Sequence, residues 1–161
     1  MGFFDAFKKK RIVIAAPVNG TCVAIQEVSD PTFRDEILGK GVAVIPTDGK
    51  ICAPADGTVT TMFPTGHAFG MTTDDGVELL VHVGLDTVAL KGDGFCITAK
   101  EGQKVKKGDL MMEADLKKIK EAGYDTITPV VICNTSDYAE VKQLADGMVR
   151  VGDDIIDIKI S

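Results

Sequence analysis

Histidine and basic residues are both scarce in this chain. Its 161 residues include two histidines, His67 and His82, and 18 Lys and Arg stand against 24 Asp and Glu, which gives a formal net charge of −6. A nucleic-acid binder needs a basic face that contacts phosphates, so this balance argues against that class. It leaves open a protein partner whose own contact face is basic.

Cysteine pairs and long apolar runs are missing as well. The four cysteines, Cys22, Cys52, Cys96 and Cys133, form no CxxC pair. Cysteine-based zinc sites normally show closer spacing, and scattered thiols in apolar stretches are typical of a reduced cytosolic protein. No apolar run approaches the roughly 18 residues of a membrane span, and no secretory signal is visible. We therefore expect a cytoplasmic protein.

Motifs of several common enzyme classes are also absent. The chain has no GxSxG nucleophile elbow, which leaves a serine hydrolase without support. It has neither a GxxxxGK[ST] loop nor a GxGxxG fingerprint, so a nucleotide site has no support either. Function must therefore be sought in the residues that remain, and the two histidines are the first candidates.

The first eleven residues, MGFFDAFKKKR, differ from the rest. Phe3, Phe4 and Phe7 fall on one face of a helix, and four cations follow at once. This pattern resembles a small amphipathic anchor at a membrane surface. The alternative is a tail whose phenylalanines pack on the domain, since so short a helix is marginal in water. We divide the chain into this tail, residues 1–11, and one domain, residues 12–161.

Residues 12–161 consist of short segments rich in Val, Ile and Thr, punctuated by most of the 17 glycines and six prolines. Closely spaced short strands with turn signals predict an all-β fold, an antiparallel β-sandwich or distorted barrel. Helical turns are expected in two places. One is 30–39, with Asp30 as N-cap and Gly39 as terminator, and the other is 115–123, with Asp115 as cap and Gly123 just beyond the end.

Two segments share a pattern of strand, glycine-containing turn and strand: KICAPADGTVTTM and EGQKVKKGDLMMEADL. The pattern resembles the duplicated hybrid motif of barrel-sandwich proteins, which biotinyl and lipoyl carriers also use. A carrier needs a lysine at a hairpin tip in a Met-Lys-Met or Asp-Lys-Ala setting, which this chain lacks. A zinc peptidase on the same sheet would resemble an HxxxD plus HxH pattern, and HxH is absent here.

His82 lies in an apolar strand, VELLVHVGL. Alternate residues of a strand face opposite sides, so Leu79, Val81, Val83 and Leu85 form a core stripe and His82 faces away from it. The segments 67–73 and 77–83 predict a hairpin around DDG, in which His82 stands opposite residue 68. The two imidazoles are then neighbours. Thr65 offers a hydroxyl that fixes the tautomer of His67, and Gly84 leaves room beside His82.

Two neighbouring imidazoles suit several chemistries. They can bind a metal, although two histidines without nearby carboxylates make a poor zinc site. One can act as a base for the other as nucleophile, or one can carry a phosphoryl group whose charge the other stabilises. The residues alone leave these alternatives open.

A resemblance to a known family favours one of these chemistries for the two imidazoles. FPTGHAFG, GVELLVHVGLDTVALKGDGF, the upstream segment 27–59 and the downstream segments 100–116 and 127–134 resemble the glucose-type enzyme IIA of the bacterial phosphoenolpyruvate-dependent sugar phosphotransferase system. The resemblance covers roughly residues 12–160. It implies a free-standing or excised cytosolic β-sandwich domain, a monomer, that carries a phosphoryl group and needs no cofactor. The tail also resembles the membrane-associating helix of enteric members.

The resemblance also implies roles for residues of this chain. His82 is the phosphoacceptor through Nε2, and His67 stabilises the phosphoryl group. Thr65 matches the hydroxyl that orients an imidazole, and Gly84 matches the glycine whose carbonyl holds Nδ1–H of the phosphoacceptor. Zinc capture at His67 and His82, with a third ligand from a partner, is left open.

The implied partners are the histidine-containing phosphocarrier protein (HPr) as donor and a cysteine of the IIB domain of a sugar permease as acceptor. Asp30 and Asp86 are candidates to pair with basic residues of HPr, or else serve as a helix cap and a turn residue. An apolar rim for docking is expected from Phe33, Phe63, Leu80 and Val88, with core packing as the alternative for the aromatics.

Thr32 and Leu80 differ from the bulkier residues of enteric members, which leaves the sugar and any regulatory targets, such as transporters or metabolic enzymes, open. A purely regulatory docking protein, switched by phosphorylation, is the second functional hypothesis.

Overall fold

Antiparallel β-strands dominate the structure. The computed structural model describes residues 11–160, and its helices are short: α1 (Pro31–Arg34) and α2 (Leu116–Glu121). The strands are β1 (Arg11–Ala15), β2 (Gly20–Ala24), β3 (Lys40–Pro46), β4 (Lys50–Cys52), β5 (Gly57–Met62), β6 (Ala68–Thr73), β7 (Glu78–His82), β8 (Phe95–Ile97), β9 (Lys104–Val105), β10 (Leu110–Ala114), β11 (Thr128–Ile132), β12 (Glu140–Gln143), β13 (Gly147–Val149) and β14 (Asp154–Lys159).

Within the described residues the strands form one large sheet and two small ones. The eight-stranded sheet has the order β13-β2-β3-β11-β7-β6-β5-β9, and the three-stranded sheets have the orders β1-β14-β12 and β4-β10-β8. Every pairing is antiparallel. The predicted antiparallel β-sandwich is therefore confirmed.

The main core contains residues from all three sheets. Ile14 and Ile156 come from one small sheet, Met112 from the other, and Val42 and Val81 from the large sheet, and each is fully buried. The alternation of buried and exposed residues in the strands explains this arrangement, because each strand turns one row of side chains towards the shared core.

A second, smaller core lies elsewhere in the fold, and the site uses it. Phe33 of α1 packs there with Leu85 and Val131, and Leu80 contacts this cluster. The prediction that Leu85 continues the core stripe of Leu79, Val81 and Val83 is therefore wrong. The strand ends at His82, and a left-handed turn at Gly84 directs the following residue into the second cluster.

The two segments with the shared pattern pair crosswise. The first supplies β4 and β5, the second supplies β9 and β10, and β4 pairs with β10 while β5 pairs with β9. Between these pairs, the amide of Ala53 donates to the carbonyl of Asp109 and that of Gly108 donates to Ala53. The two similar segments thus form a single unit in which each strand of one segment pairs with a strand of the other.

The predicted helical turns form, with one difference in length. The side chain of Asp30 caps α1 by accepting from the amide of Thr32, and that of Asp115 caps α2 by accepting from Lys118. α2 ends just before Gly123, as predicted, but α1 ends at Arg34 and does not reach Gly39. Glu36 adopts a left-handed backbone with φ of 58°, which a continuing helix does not allow.

One short strand was not predicted. β13 has three residues, too few positions to show a period of two. The two-residue β9, in contrast, lies in the first strand predicted for the second of the two similar segments. At the start of the described chain, Arg11 belongs to β1 and its guanidinium pairs with the buried carboxylate of Asp157. The predicted amphipathic tail is otherwise residues 1–10, which lie outside the described residues. No helix within residues 11–160 is long and apolar enough to cross a membrane.

Candidate functional site

The two histidines lie side by side on the β6–β7 hairpin. His82 pairs with Ala68, which confirms the predicted register, and the amide of Val83 donates to the carbonyl of His67 at 2.7 Å. The imidazole rings are 5.0 Å apart between centroids and meet edge to face at 78°. The hairpin therefore brings both imidazoles of the chain into direct contact.

A backbone carbonyl fixes the tautomer of His82. Its Nδ1 lies 2.6 Å from the carbonyl oxygen of Gly84. A carbonyl only accepts, so Nδ1 carries the proton, and in the neutral ring Nε2 keeps its lone pair. The side chain is half-buried, so part of it remains in contact with solvent.

Only glycine fits at position 84. Its φ is +80°, and a Cβ there would stand 2.6 Å from Cγ2 of Thr87 and 2.7 Å from the carbonyl oxygen of Asp125. The side chain of Thr87 and the backbone of Asp125 therefore confine Gly84 from two sides. This confinement keeps the Gly84 carbonyl next to Nδ1 of His82.

His67 is more deeply placed, with 4% of its surface exposed. Oγ1 of Thr65 lies 2.5 Å from its Nδ1. If the hydroxyl donates, Nδ1 accepts and Nε2 carries the proton of the neutral ring; if Nδ1–H donates, Nε2 is free to accept. The hydroxyl predicted to orient this imidazole is within hydrogen-bond distance, as expected.

Both imidazoles are held in the neutral form at neutral pH. Burial, and to a lesser extent the neighbouring His82, lowers the pKa of His67 to about 4. Burial also lowers the pKa of His82. Three weaker influences raise the pKa of His82: the hydrogen bond to Gly84 and the negative charges of Asp30 and Asp86. A neutral ring is the form in which Nε2 can act as a nucleophile.

Aromatic side chains flank the pair. The ring of Phe33 lies 5.1 Å from that of His82, and the ring of Phe63 lies 5.2 Å from that of His67 in an edge contact. Phe33 is 4% exposed, so it belongs to the second core, whereas Phe63 is 36% exposed. Core packing, the alternative to a docking role, therefore describes Phe33. Phe63 presents an exposed surface, as a docking residue does.

Exposure and local role differ among the remaining predicted docking residues. Val88 is 53% exposed and Leu80 is half-buried beside the second core. Asp30 caps α1, and Asp86 adopts a left-handed turn with φ of 59°. Both carboxylates line a cavity of about 400 Å³, which also contains Tyr124 and Asp125. Asp30 and Asp86 therefore have the structural roles named as alternatives, and their charges also act on His82.

Other exposed apolar residues were missed from the sequence. Ile37 and Leu38, in the loop after α1, and Ile97 of β8 are exposed, and a Cβ at Gly66 would touch the side chain of Ile97. Their isolated positions in loops and in a short strand give no periodic signal. Thr87 was also missed, although it is fully buried beside Gly84.

Metal ligands do not cluster around the histidines. In the part of the chain that the structure describes, no group of three or more His, Cys, Asp or Glu side chains is arranged to hold a metal ion. The histidine pair supplies two nitrogen ligands, so a zinc ion there needs a further ligand from another molecule.

Fold and site together define a β-sandwich protein with a paired-imidazole centre, and comparison with known proteins identifies its family. Residues 12–138 match the model of the phosphoenolpyruvate-dependent sugar phosphotransferase system, EIIA 1. The chain is 43% identical to the glucose-specific EIIA component of Buchnera aphidicola, covering 97% of each protein. It is 41% identical to that of Halalkalibacterium halodurans, covering 97% of this chain and 91% of the relative.

A solved structure agrees. The glucose permease IIA from Mycoplasma capricolum superposes with a TM-score of 0.85 at 36% sequence identity, covering 92% of this chain and 96% of that one. The chain also spans 23% of the length of a β-glucoside-specific EIIBCA component from H. halodurans, at 42% identity. The protein belongs to the EIIA type 1 family of the sugar phosphotransferase system. It is a phosphotransferase component, a phosphocarrier in sugar transport.

Proposed function

We propose that His82 accepts a phosphoryl group on Nε2 from HPr and passes it to a cysteine of the IIB domain of a sugar permease. The observation that carries this proposal is the hydrogen bond between Nδ1 of His82 and the carbonyl of Gly84, at 2.6 Å. It leaves Nε2 as the nucleophilic nitrogen of a ring that is neutral at physiological pH.

The first transfer moves the phosphoryl group between two nitrogens. The lone pair of His82 Nε2 attacks phosphorus in line with the departing nitrogen of the donor's phosphohistidine, whose P–N bond breaks and returns its electron pair to the donor ring. Because Nδ1 keeps its proton, the phosphorylated ring of His82 gains positive charge. The carbonyl of Gly84 and the nearby charges of Asp30 and Asp86 stabilise that charge.

His67 is the second half of this mechanism. We assign Thr65 O–H as the donor to Nδ1 of His67, so that Nε2–H points its proton towards the negative phosphoryl oxygens. In the second transfer a thiolate sulfur attacks phosphorus, a P–S bond forms, and the electron pair of the broken P–N bond returns to His82. Hydrogen bonding from His67 spreads the charge of that transition state.

Docking supplies the water exclusion that phosphoryl transfer needs. The exposed apolar side chains around the histidines, Phe63 and Val88, give a partner a surface on which to close the site. Asp30 and Asp86 give a basic partner such as HPr a place for its cations. We further propose that the protein acts as a monomer in the cytoplasm, with residues 1–11 touching the membrane surface.

Regulatory docking is the second candidate function. Ile37, at 68% exposure, and Val88, at 53%, are exposed apolar side chains that a transporter or metabolic enzyme can cover. A phosphoryl group on His82 adds about −1.5 to −2 charges to that surface and switches the contact. Both functions use the same face, so phosphorylation of His82 is common to them.

Mass spectrometry at neutral to basic pH tests the proposal. Wild type, His82→Ala and His67→Ala are incubated with phosphoenolpyruvate, enzyme I and HPr, then mixed with a IIB domain. We expect wild type to gain about 80 Da, one phosphoryl group, and to lose it to IIB. We expect no gain for His82→Ala. His67→Ala should gain the group but fail to pass it on.

Each other result has a definite meaning. A phosphorylated His82→Ala variant would remove the assignment of the phosphoacceptor. A His67→Ala variant that transfers to IIB as fast as wild type would remove the role given to His67. An unmodified wild type, with HPr shown to be phosphorylated, would remove both phosphoryl transfer and the phosphorylation switch, and would leave docking without a switch as the better hypothesis.

A further inference from the structure

One buried hydroxyl group stands behind the site without a role in the proposed transfer. Thr87 is fully buried, at 0% exposure. Its Oγ1 donates to the carbonyl of Val83 at 2.6 Å, and its Cγ2 is the nearest atom to the position that a Cβ on Gly84 would take, at 2.6 Å. Thr87 thus contacts the two residues that follow His82 in the chain.

These two residues hydrogen-bond to both histidines, to the backbone of His67 and to the ring of His82. The amide of Val83 donates to the carbonyl of His67 at 2.7 Å, and the carbonyl of Gly84 accepts from Nδ1 of His82 at 2.6 Å. The peptide that joins Val83 and Gly84 comes directly before the Gly84 carbonyl, so its position affects where that carbonyl points. Thr87 holds one end of that peptide through its hydroxyl and packs against the other through its methyl group.

The opposite side of this turn is closed by backbone. Leu85 donates its amide to the carbonyl of Asp125 at 3.0 Å, and that same oxygen lies 2.7 Å from the Cβ position of Gly84. Asp125 is itself fixed, because its carboxylate accepts from the amide of Ile127 at 2.9 Å. Thr87, in contrast, acts through a side-chain hydroxyl. A single substitution therefore removes its hydrogen bond and leaves the hydrogen-bonding groups of the backbone in place.

We propose that Thr87 is a positioning residue that keeps the Gly84 carbonyl on Nδ1 of His82 and so keeps Nε2 unprotonated. A neutral imidazole can carry its proton on either nitrogen, and the hydrogen bond to the carbonyl selects Nδ1. When the hydroxyl is lost, the Val83 carbonyl loses this donor, the turn relaxes, and the proton moves to Nε2 in part of the molecules. The consequence for phosphoryl transfer rests on the function proposed above, whereas the effect on the tautomer does not.

Thr87→Val and Thr87→Ser separate the hydroxyl from the methyl group. Valine keeps the shape and lacks the donor, and serine keeps the donor and lacks the methyl group. Nitrogen-15 NMR of histidine-labelled protein reads the tautomer of His82 directly, without any partner protein. We expect wild type and Thr87→Ser to hold the proton on Nδ1 and Thr87→Val to show a shift towards Nε2.

Phosphoryl transfer from HPr is measured on the same variants. We expect Thr87→Val to lower kcat by about 10- to 100-fold with little change in KM, since a misplaced reacting group slows the chemical step. Thr73→Val is the matched control: Thr73 is also buried, and its hydroxyl oxygen accepts from the amide of Val77 at 3.0 Å, at the end of the β6–β7 hairpin opposite to His67 and His82. The control should lose stability without changing the tautomer or kcat.

An Nδ1–H tautomer in folded Thr87→Val would overturn the proposal, as would an equal tautomer shift in Thr73→Val. A shift in Thr87→Ser but not in Thr87→Val would assign the effect to methyl packing and would also overturn it. If Thr87→Val does not fold, Thr87→Ala removes the hydroxyl without placing a methyl group against the Val83 oxygen, and the same NMR criterion applies. A tautomer shift in Thr87→Val, found together with a wild-type chain that never accepts a phosphoryl group, would leave the positioning role standing and remove only the proposed function.

Discussion

The imidazole rings of His67 and His82 meet edge to face, 5.0 Å apart, and differ in what surrounds them. His67 is buried with a hydroxyl group on its Nδ1, and His82 is half-buried with a carbonyl oxygen on its Nδ1. A hydroxyl can donate or accept, but a carbonyl only accepts. The tautomer of His82 is therefore fixed, as a nucleophile requires, whereas His67 can take either tautomer, as suits a supporting group.

Stability should fall in acid because of His67. Its pKa is about 4 in the folded protein, and a histidine in an unfolded chain has a pKa near 6.5. Between these values the unfolded state holds more protons, so the free energy of unfolding falls as pH falls, by about 3 kcal/mol in total. Above about pH 6.5 the contribution is fully present, and below about pH 4 it no longer changes.

Urea unfolding at about pH 7.5 and about pH 4.5 measures this effect. His67→Gln is the control, because it removes the titrating ring and leaves the other ionisable groups in place. We expect wild type to lose more stability than His67→Gln between the two pH values. Equal losses in the two proteins would mean that His67 titrates normally in the folded state.

Gly84→Ala should damage both fold and site. The new Cβ would stand 2.7 Å from the carbonyl oxygen of Asp125 at a φ of +80°, so strain and a steric clash act together. We expect a loss of more than about 3 kcal/mol in the free energy of unfolding. Gly102→Ala is matched in backbone, with φ of +86° and nothing within 4 Å of its Cβ position. It should cost only about 1 kcal/mol. Similar losses would show that the contacts at Gly84 are not restrictive.

The two phenylalanines beside the histidines should respond differently to truncation. Phe33 is 4% exposed, so Phe33→Ala should cost about 3–5 kcal/mol and raise the pKa of His82, because water reaches a ring that burial had shielded. Phe63 is 36% exposed, so Phe63→Ala should cost about 1 kcal/mol or less. Chemical denaturation and an NMR titration of His82 provide the two readouts. An unchanged His82 pKa in Phe33→Ala would contradict the shielding role.

Val88→Asp should weaken docking without weakening the fold. Val88 is 53% exposed beside the site, so stability should change by no more than about 0.5 kcal/mol. We expect KM for HPr to rise about 10-fold, which corresponds to about 1.4 kcal/mol of lost binding. Met148→Asp carries the same new charge at a residue that is 77% exposed, on β13 at the far edge of the large sheet. An equal rise in KM for both variants would indicate a general charge effect.

Local patterns in the sequence were sufficient to predict much of the fold. The alternation in residues 77–83 and the DDG turn predicted a hairpin whose register places His82 opposite Ala68, and this register is confirmed. The caps at Asp30 and Asp115 were likewise readable, because a capping side chain and the amide that it accepts from are neighbours in sequence.

The parts that failed depend on contacts between distant segments. Leu85 joins the second core because the chain turns at Gly84. The three-residue β13 exists because it pairs with β2, and no local preference marks it.

The sequence by itself determined the strands, the hairpin and the meeting of the two histidines, since these follow from alternation and turn chemistry over a few residues. Only the tertiary structure decided their protonation, because burial and the approach of the Gly84 carbonyl, Asp30 and Asp86 set the pKa of His82. It also decided the position of Thr87, whose hydroxyl donates to the carbonyl of Val83 and whose methyl group, together with the backbone of Asp125, packs against Gly84. Dielectric environment and steric closure are properties of the assembled fold, and no short stretch of residues carries them.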